Sequence, residues 1–407
     1  MSFPLWRTVA LLGCCVSAAW AQTSPTGLAA NAAKPIRVGF ICPQTGGSAD
    51  FGNSARLGAE LAVKEINEVG GFMGRTVELV ARDDKATPDI GQQVAEELID
   101  KEKVNFTVGF CNSGVALKAL ETFQKRQHVL MVPVATGTAI TAKYPARDSF
   151  IFRMAARDAL QASFLVDEVV QRRGLKKIAV FADRTGYGDG GLADVTKFLA
   201  AHKLEPAYVA RFDLGVSNLS AEMQAAKEAG AEAVIAYSVG PELAVVANAR
   251  SAAHFTGLLL GPWTLSFRTV WEKSGGNAEG ALMTQTIVPD LATERRMSFM
   301  ARLKRHTGDA PVYSLMAAAQ TYDALHLMMR AVFQAQGDTS GPALKKALED
   351  LGHTYSGVVT THSKPFSADD HDAFSANMIW LGTWKKGVIG YAYPEDAKRA
   401  SVIRRKE

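Results

Sequence analysis

The sequence lacks the short motifs by which catalytic sites usually announce themselves. It contains no Gly-x-Ser-x-Gly elbow and no His-Glu-x-x-His pair. The glycine-rich stretch "RTGYGDGG" (184–191) has neither the Lys-Ser/Thr ending of a phosphate loop nor GxGxxG spacing, and it reads as a tight loop before a helix. "SADDHDAF" (367–374) holds three carboxylates and His371 at a spacing that suits neither an EF-hand nor a zinc motif; it reads as a solvated turn. Cys111 has no histidine near it in sequence to activate it as a nucleophile. Charge of one sign is also scarce: the net charge is +4 over 407 residues, without the clustered basic face that nucleic-acid binding needs. The tail "AKRASVIRRKE" (397–407) is basic but reads as a frayed, solvated terminus. No apolar run beyond the N-terminus approaches the ~18–20 residues of a membrane span. These absences argue against an enzyme, a nucleic-acid binder and a membrane-spanning chain, and no cofactor or metal is expected.

Cysteine is rare as well, four in all, and its placement is informative. "MSFPLWRTVALLGCCVSAAWAQ" has one positive charge, an apolar run and Ala19-Trp20-Ala21 before Gln22, which is the pattern of a secretory signal cut after Ala21. Cys14 follows Leu-Leu-Gly, so lipid attachment there is the alternative. Residues 22–34 read as a flexible leader. The mature chain is therefore expected to be exported to the periplasm. Cys14 and Cys15 would leave with the signal, and Cys42 and Cys111 would remain in a compartment that permits disulfides. Each ends a predicted strand. If those strands are neighbours the pair can bond; otherwise they are two buried thiols. The bond is favoured, because exposed free thiols are a liability outside the cytoplasm.

What is abundant is a βα rhythm. The chain is 47% hydrophobic and 21% charged and is too long for one ordinary core, so two domains are expected. "IRVGFICP", "TVELVARDD", "VNFTVGF" and "VLMVPVAT" read as strands separated by helices such as "SARLGAELAVKEINEVGG" and "SGVALKALETFQKRQ". A second series follows with "KKIAVFAD", "EPAYVARFD", "AEAVIAYSV" and "GLLLGPW". After Pro289 come two long helices, 295–306 and about 312–335, then "GPALKKALEDL", and an antiparallel pair of strands at the end. Near-continuous apolar strands alternating with helices imply parallel sheets covered on both faces.

Ligands of such sheets bind beyond the carboxyl ends of the strands. Three of these ends, "CPQTGGSADFGN", "CNSG" and "ATGT", are rich in Gly, Ser, Thr and Asn and nearly uncharged. They offer N–H groups, hydroxyls and helix N-termini to an anion. Ser113 and Thr136 are the hydroxyls placed to meet a carboxylate, although Ser and Thr are also ordinary helix caps.

Two similar lobes, an export signal and the ordered motifs "IRVGFICPQTGGSADFGNSARLGAELAVKEINEVGGFMGRTVELVARDDKATPD", "VGFCNSG", "MVPVATGT", "IFRMAARDALQ", "DRTGYGDG" and "LLGPW" resemble the periplasmic solute-binding proteins of branched-chain amino-acid-type ABC transporters. The resemblance runs from Ile36 to about Tyr393. It implies an α/β type I periplasmic-binding-protein fold: two Rossmann-like lobes with parallel sheets joined by a three-segment hinge, with crossings near Ala156, Pro289 and Ala376. The first lobe would comprise 35–156 plus 289–375, the second 157–288 plus 376–396, and 397–407 would be a tail.

The same resemblance assigns roles. Ser113 and Thr136, with Val134 and Ala135 backbone nearby, would hold the ligand carboxylate. Phe51, in the loop after the first strand, would line the pocket. Tyr187 would close over the ligand, with Trp263 and Tyr237. In amino-acid-binding members a Glu follows the "GP" motif and holds the ammonium; here that position is Trp263. A buried ammonium without a countercharge is costly. The expectation is a small carboxylate, an aromatic or branched organic acid, with an amino acid as the other option if Asp158 or Asp183 supplies the charge. The partners implied are a membrane permease and its ATPases, the chain itself being monomeric. The rival reading is a ligand sensor of the same fold that reports to a receptor or regulator.

Overall fold

The structure is a computed structural model that describes residues 34–290, 293–399, 401–402 and 404–407. The signal sequence, Cys14 and residues 22–33 of the leader lie outside the described residues. From Pro35 onward the chain builds two α/β layers.

The first layer alternates β1 (Ile36–Ile41), α1 (Ala49–Glu68), β2 (Val77–Arg82), α2 (Pro88–Glu96), β3 (Phe106–Gly109), α3 (Ser113–Lys125), β4 (Leu130–Val132), α4 (Ala139–Ala142) and β5 (Ile151–Arg153). Its sheet has the order β2-β1-β3-β4-β5 and is parallel throughout, with Ile41 beside Gly109 where β1 and β3 end. The central strand β3 is buried at every position, as a sheet covered on both faces requires.

The second layer alternates α5 (Asp158–Asp167), β6 (Ile178–Asp183), α6 (Gly186–Ala201), β7 (Tyr208–Phe212), α7 (Ser220–Glu228), β8 (Ala233–Tyr237), α8 (Glu242–Ala252), β9 (Leu258–Gly261), α9 (Arg268–Ser274) and β10 (Leu282–Gln285). The chain then returns to the first layer. There α10 (Glu294–Thr307) and α11 (Leu315–Gln334) both pack on α1. Gly58 of α1 makes the closest approach possible, since a Cβ there would lie 2.1 Å from the carbonyl oxygen of Ala318. The helix α12 (Gly341–Glu349) and the pair β11 (Tyr355–Ser356) and β12 (Thr361–His362) follow. Finally β13 (Trp380–Lys385) and β14 (Val388–Tyr391) join the second sheet, and α13 (Pro394–Lys398) closes the element order. That sheet runs β14-β13-β10-β9-β8-β6-β7; β13 is antiparallel to β10 and to β14, and the rest is parallel.

Three features depart from the sequence reading. "SADDHDAF" is not a solvated turn: residues 371–373 run beside β5, with Arg153 N–H donating to His371 O at 2.9 Å and Ala373 N–H to Arg153 O at 2.9 Å. His371 stacks on Phe152 with ring centres 3.8 Å apart. "RTGYGDGG" is not a tight loop ahead of a helix: from Gly186 it is the opening of α6 itself, capped by the Thr185 hydroxyl, which accepts from Tyr187 N and Gly188 N. The basic tail is not frayed: Arg404 donates to Asn377 O at 2.7 Å and lies 3.3 Å over the Trp380 ring. In the first and third cases a partner far away in sequence supplies the burial; in the second the cap is local.

Candidate functional site

Each sheet has one point where successive crossovers leave in opposite directions. In the first it lies between β1 and β3, in the second between β6 and β8. Chain ends diverge there and leave a crevice. The two crevices face each other.

On the first side, Cys42 and Cys111 are disulfide-bonded with Cα atoms 5.3 Å apart, tying the loop after β1 to the loop after β3. Between Gly109 and Cys111 the chain turns through Phe110 at φ 67°, a left-handed conformation uncommon for a bulky residue. Its N–H donates to Ile41 O at 2.6 Å and its carbonyl accepts the Ala135 N–H at 3.1 Å. The Ala135 N–H is therefore already engaged. Val134 is buried beside it.

Neither hydroxyl singled out from the sequence caps its helix. Asn112 is the N-cap of α3 and Ser113 the first helical residue, whose Oγ accepts the Gly137 N–H at 3.0 Å. Accepting leaves the hydroxyl's own proton available to an anion. The Thr136 carbonyl accepts the Asp158 N–H at 2.8 Å and Arg153 Nη1–H at 2.9 Å. The Thr136 hydroxyl accepts the indole N–H of Trp263 from across the cleft at 3.4 Å.

On the second side, Trp263 opens a short 3-10 turn after β9, and its backbone N–H donates to Gln161 Oε1 at 3.1 Å. Its ring packs edge-on against Phe267, 5.0 Å between centres, and against Phe51, 6.2 Å away. Phe51 stacks on Phe267 at 5.0 Å. It belongs to the first turn of α1, not to the preceding loop. Tyr187 lies in the first turn of α6 with its OH 3.4 Å from Thr264 Oγ1, and its ring is 5.6 Å from that of Tyr237. Gly191 makes room for Tyr237: a Cβ there would overlap the ring at 2.0 Å.

The two sides are closed on each other. Thr138 Oγ1–H donates to Asp194 Oδ2 at 2.6 Å, Thr269 Oγ1–H donates to Asp50, and Arg268 N–H donates to Tyr313 O at 3.2 Å. The first turns of α3 and α6 meet at glycines; a Cβ on Gly186 would lie 3.1 Å from the Cα of Gly114. A cavity of about 10 Å³ remains among Thr136, Gln161, Trp263, Thr284, Met316 and Gln320. That is room for about one water.

Of the buried polar atoms without a partner among the described residues, four lie around this closure: Asn112 Oδ1, Asp158 Oδ2, Tyr237 OH and Ser238 Oγ. Burial raises the Asp158 carboxyl to about 7, against the opposing effects of the Thr136 hydroxyl and Arg153. Burial also pushes Tyr187 and Tyr237 well above the ordinary phenol value. Asp183 is fully engaged, accepting from Thr185 and from the Val239 N–H at 3.0 Å, so that of the two acids named from the sequence Asp158 is the one with an open oxygen.

Sequence reasoning missed Gln161 and Gln320. Gln161 donates to Ala156 O at 2.8 Å and accepts from Trp263 N and Thr284 Oγ1, so it fixes the turn that presents Trp263. Gln320 donates to Pro133 O at 2.7 Å and accepts from Thr286 Oγ1 at 2.6 Å, linking α11 to both sides. The only signal for either was a polar residue on an otherwise apolar helical face. Among the described residues no group of three or more His, Cys, Asp or Glu could hold a metal ion.

Residues 35–387 match the family model described as "Periplasmic binding protein". The Leu/Ile/Val-binding protein homolog 3 of Brucella melitensis is 31% identical over 336 residues, 82% of this chain and 88% of that protein. Among solved structures, the branched-chain amino acid transporter substrate-binding protein LivJ of Streptococcus pneumoniae, in complex with isoleucine, aligns with a TM-score of 0.76 at 21% identity, covering 87% of this chain and 97% of that one. An ABC-transporter solute-binding protein of R. palustris, in complex with 4-hydroxybenzoate, aligns with a TM-score of 0.75 at 20% identity, covering 87% and 95%. The fold is thus of the type I periplasmic-binding class, with two Rossmann-like lobes joined by a three-segment hinge.

Proposed function

The chain belongs to the periplasmic binding protein family, a family of binding proteins and not of enzymes, and from that premise we propose that it is the substrate-binding component of an ABC importer, closing its lobes on a small carboxylate. The division into lobes at about residues 156, 289 and 376, export by the signal at 1–21, delivery to a permease with its ATPases and action as a monomer are parts of the same proposal.

The observation that carries it is the meeting of α3 and α6. Helix N-termini carry partial positive charge and unpaired N–H groups, and two brought face to face repel unless an anion lies between them. Here they meet beside the Ser113 and Thr136 hydroxyls; Thr185 already caps the first turn of α6, whereas no side chain caps that of α3. A carboxylate in that place would take charge-assisted hydrogen bonds from both lobes and so favour the closed form over the open one. The aromatic wall of Phe51, Trp263, Phe267, Tyr187 and Tyr237 suits an apolar body, aromatic or branched. The 10 Å³ gap means that the lobes part, or Trp263 turns, to admit it.

Asp158 favours a second reading, an amino-acid ligand, because its open oxygen is buried and adjoins Thr136. The test is a thermal-shift and calorimetric screen of the mature protein with paired compounds, each an amino acid and its 2-oxo acid, alongside benzoates. Stabilisation that grows with concentration identifies a ligand. If only the amino acids bind, Asp158 is the ammonium partner; if no carboxylate binds, the proposal fails.

A further inference from the structure

The C-terminal tail lies beyond the part of the chain that matches the family model, which stops at residue 387. It leaves the second lobe through α13, where Arg172 pairs with Glu395 at 3.0 Å. It then doubles back along the third crossing of the hinge. Arg404 donates to Asn377 O at 2.7 Å and to Ile379 O at 3.3 Å, and its guanidinium covers Trp380, the first residue of β13. The Arg404 carbonyl accepts from Thr360 Oγ1 at 2.7 Å and the Arg405 carbonyl from Asn377 Nδ2 at 2.9 Å. The Glu407 N–H donates to Ser375 Oγ at 3.1 Å. Lys406 goes further, to the segment beside β5: it pairs with Asp370 at 2.8 Å and donates to the carbonyls of Pro365 and Asp372.

We propose that residues 404–407 are a hinge strap, a non-covalent link between the lobes beyond the three crossings that favours the closed arrangement. This rests on the reading that the lobes open and close. The strap begins on the second lobe, grips the crossing at Asn377 and Ile379, and ends on the first lobe at Asp370–Asp372. Rotation about the hinge changes the distance between those attachments, so bonds that fit the closed form are lost in the open one. A link of this kind shifts the equilibrium by its differential strength in the two forms. Its far end reaches the binding loop through a continuous path. Lys406 holds the Asp372 backbone, the Asp372 carboxylate holds Arg153 at 2.6 Å, and Arg153 Nη1 holds the Thr136 and Gly137 carbonyls at 2.9 and 2.7 Å. The carbonyl-to-arginine grips resist salt better than the Lys406–Asp370 pair, whose carboxylate is 46% exposed.

The test reads the hinge without any ligand, so its outcome is independent of whether a carboxylate is the guest. Distance labels go on Lys118→Cys in α3 and Lys197→Cys in α6, both exposed positions on opposite lobes. Pulsed electron-spin distance measurements then compare the full mature chain, a chain ending at Arg399, and Arg404→Ala/Lys406→Ala. Loss of several charge-assisted bonds predicts an open-to-closed ratio about tenfold higher in both altered proteins. Salt at about 1 M should move the full chain part of the way and the truncated chain not at all. If the shortened chain does not fold, the double substitution decides alone. Distance distributions identical to the full chain in a folded double variant overturn the proposal.

Discussion

The guanidinium of Arg153 is fully buried between the Asp372 carboxylate, 2.6 Å from its Nε, and the Thr136 carbonyl, 2.9 Å from its Nη1. Two residues 219 positions apart in sequence thereby hold the loop that carries the Thr136 hydroxyl. Burial pushes Asp372 up, but the neighbouring Arg153 outweighs it and holds the carboxyl below its ordinary range. Removing one partner leaves the other charge buried and unpaired, at a cost of about 3–5 kcal/mol. Asp372→Ala is expected to lower stability by that amount in urea unfolding. It should also weaken ligand binding more than a surface substitution of equal stability cost. Arg153→Met with Asp372→Leu, which removes both charges, is expected to recover stability but not affinity.

The carboxylate anchor is tested by Ser113→Ala with Thr136→Ala. A hydrogen bond to a charged group contributes about 1.5–3 kcal/mol, so the pair should weaken carboxylate binding by at least about 100-fold; the melting temperature should also fall, because the Gly137 and Trp263 N–H groups lose their acceptors. Calorimetry on the ligand found in the screen measures it; affinity within a few-fold of wild type would remove both hydroxyls from the site.

Trp263→Glu places at this position the acid that the family resemblance assigns to amino-acid-binding members. It is expected to move preference from organic acids toward amino acids, read as the ratio of affinities for an amino acid and its 2-oxo acid. An unchanged ratio would put Trp263 outside the pocket.

The disulfide closes a loop spanning 69 positions. Loop-closure entropy for that length is worth about 4 kcal/mol. Cys42→Ser with Cys111→Ser, or a reductant, should lower the urea midpoint accordingly. The effect on binding should exceed that of a remote destabilising change, since the bond joins two of the loops facing the cleft.

Buried titratable groups give stability two pH limbs of opposite sign. Burial lowers His326 to about 4 and His362 to about 3, so both are neutral in the folded protein. The unfolded chain takes up protons below about 6.5, and stability is expected to fall as pH drops from there toward 3. Asp158, raised to about 7, acts the other way: the folded state keeps its proton, and that stability is lost as pH rises from about 4 to 7. Urea unfolding of His362→Phe should show a flatter acid limb, and Asp158→Asn a flatter neutral limb. Unchanged limbs would mean that these groups titrate normally.

The βα rhythm was legible because strands such as "KKIAVFAD" are apolar at nearly every position, which only a doubly covered sheet tolerates. β5 and β10 escaped because Arg153 in the one and Thr284 and Gln285 in the other break the apolar run, and β11 and β12, of two residues each, are too short for any period to register. The positions of Ser113 and Thr136 after β3 and β4 were legible. Gln161, Gln320 and the Arg153–Asp372 pair were not, because their roles depend on partners that only the fold brings near. The tail was misread for the same reason: "RRKE" is indistinguishable from a solvated end until Asn377 and Asp370 are beside it.

Gly114 and Gly186 set a hard stop. The jaws halt where main chain touches main chain, and no rotamer can relax that limit. Under the proposed closure, a guest that fits once Trp263 turns lets the two glycines meet, and a thicker one props them apart by its own excess. Size selection can then be written into the backbone, leaving side chains such as Trp263 free to decide chemistry alone.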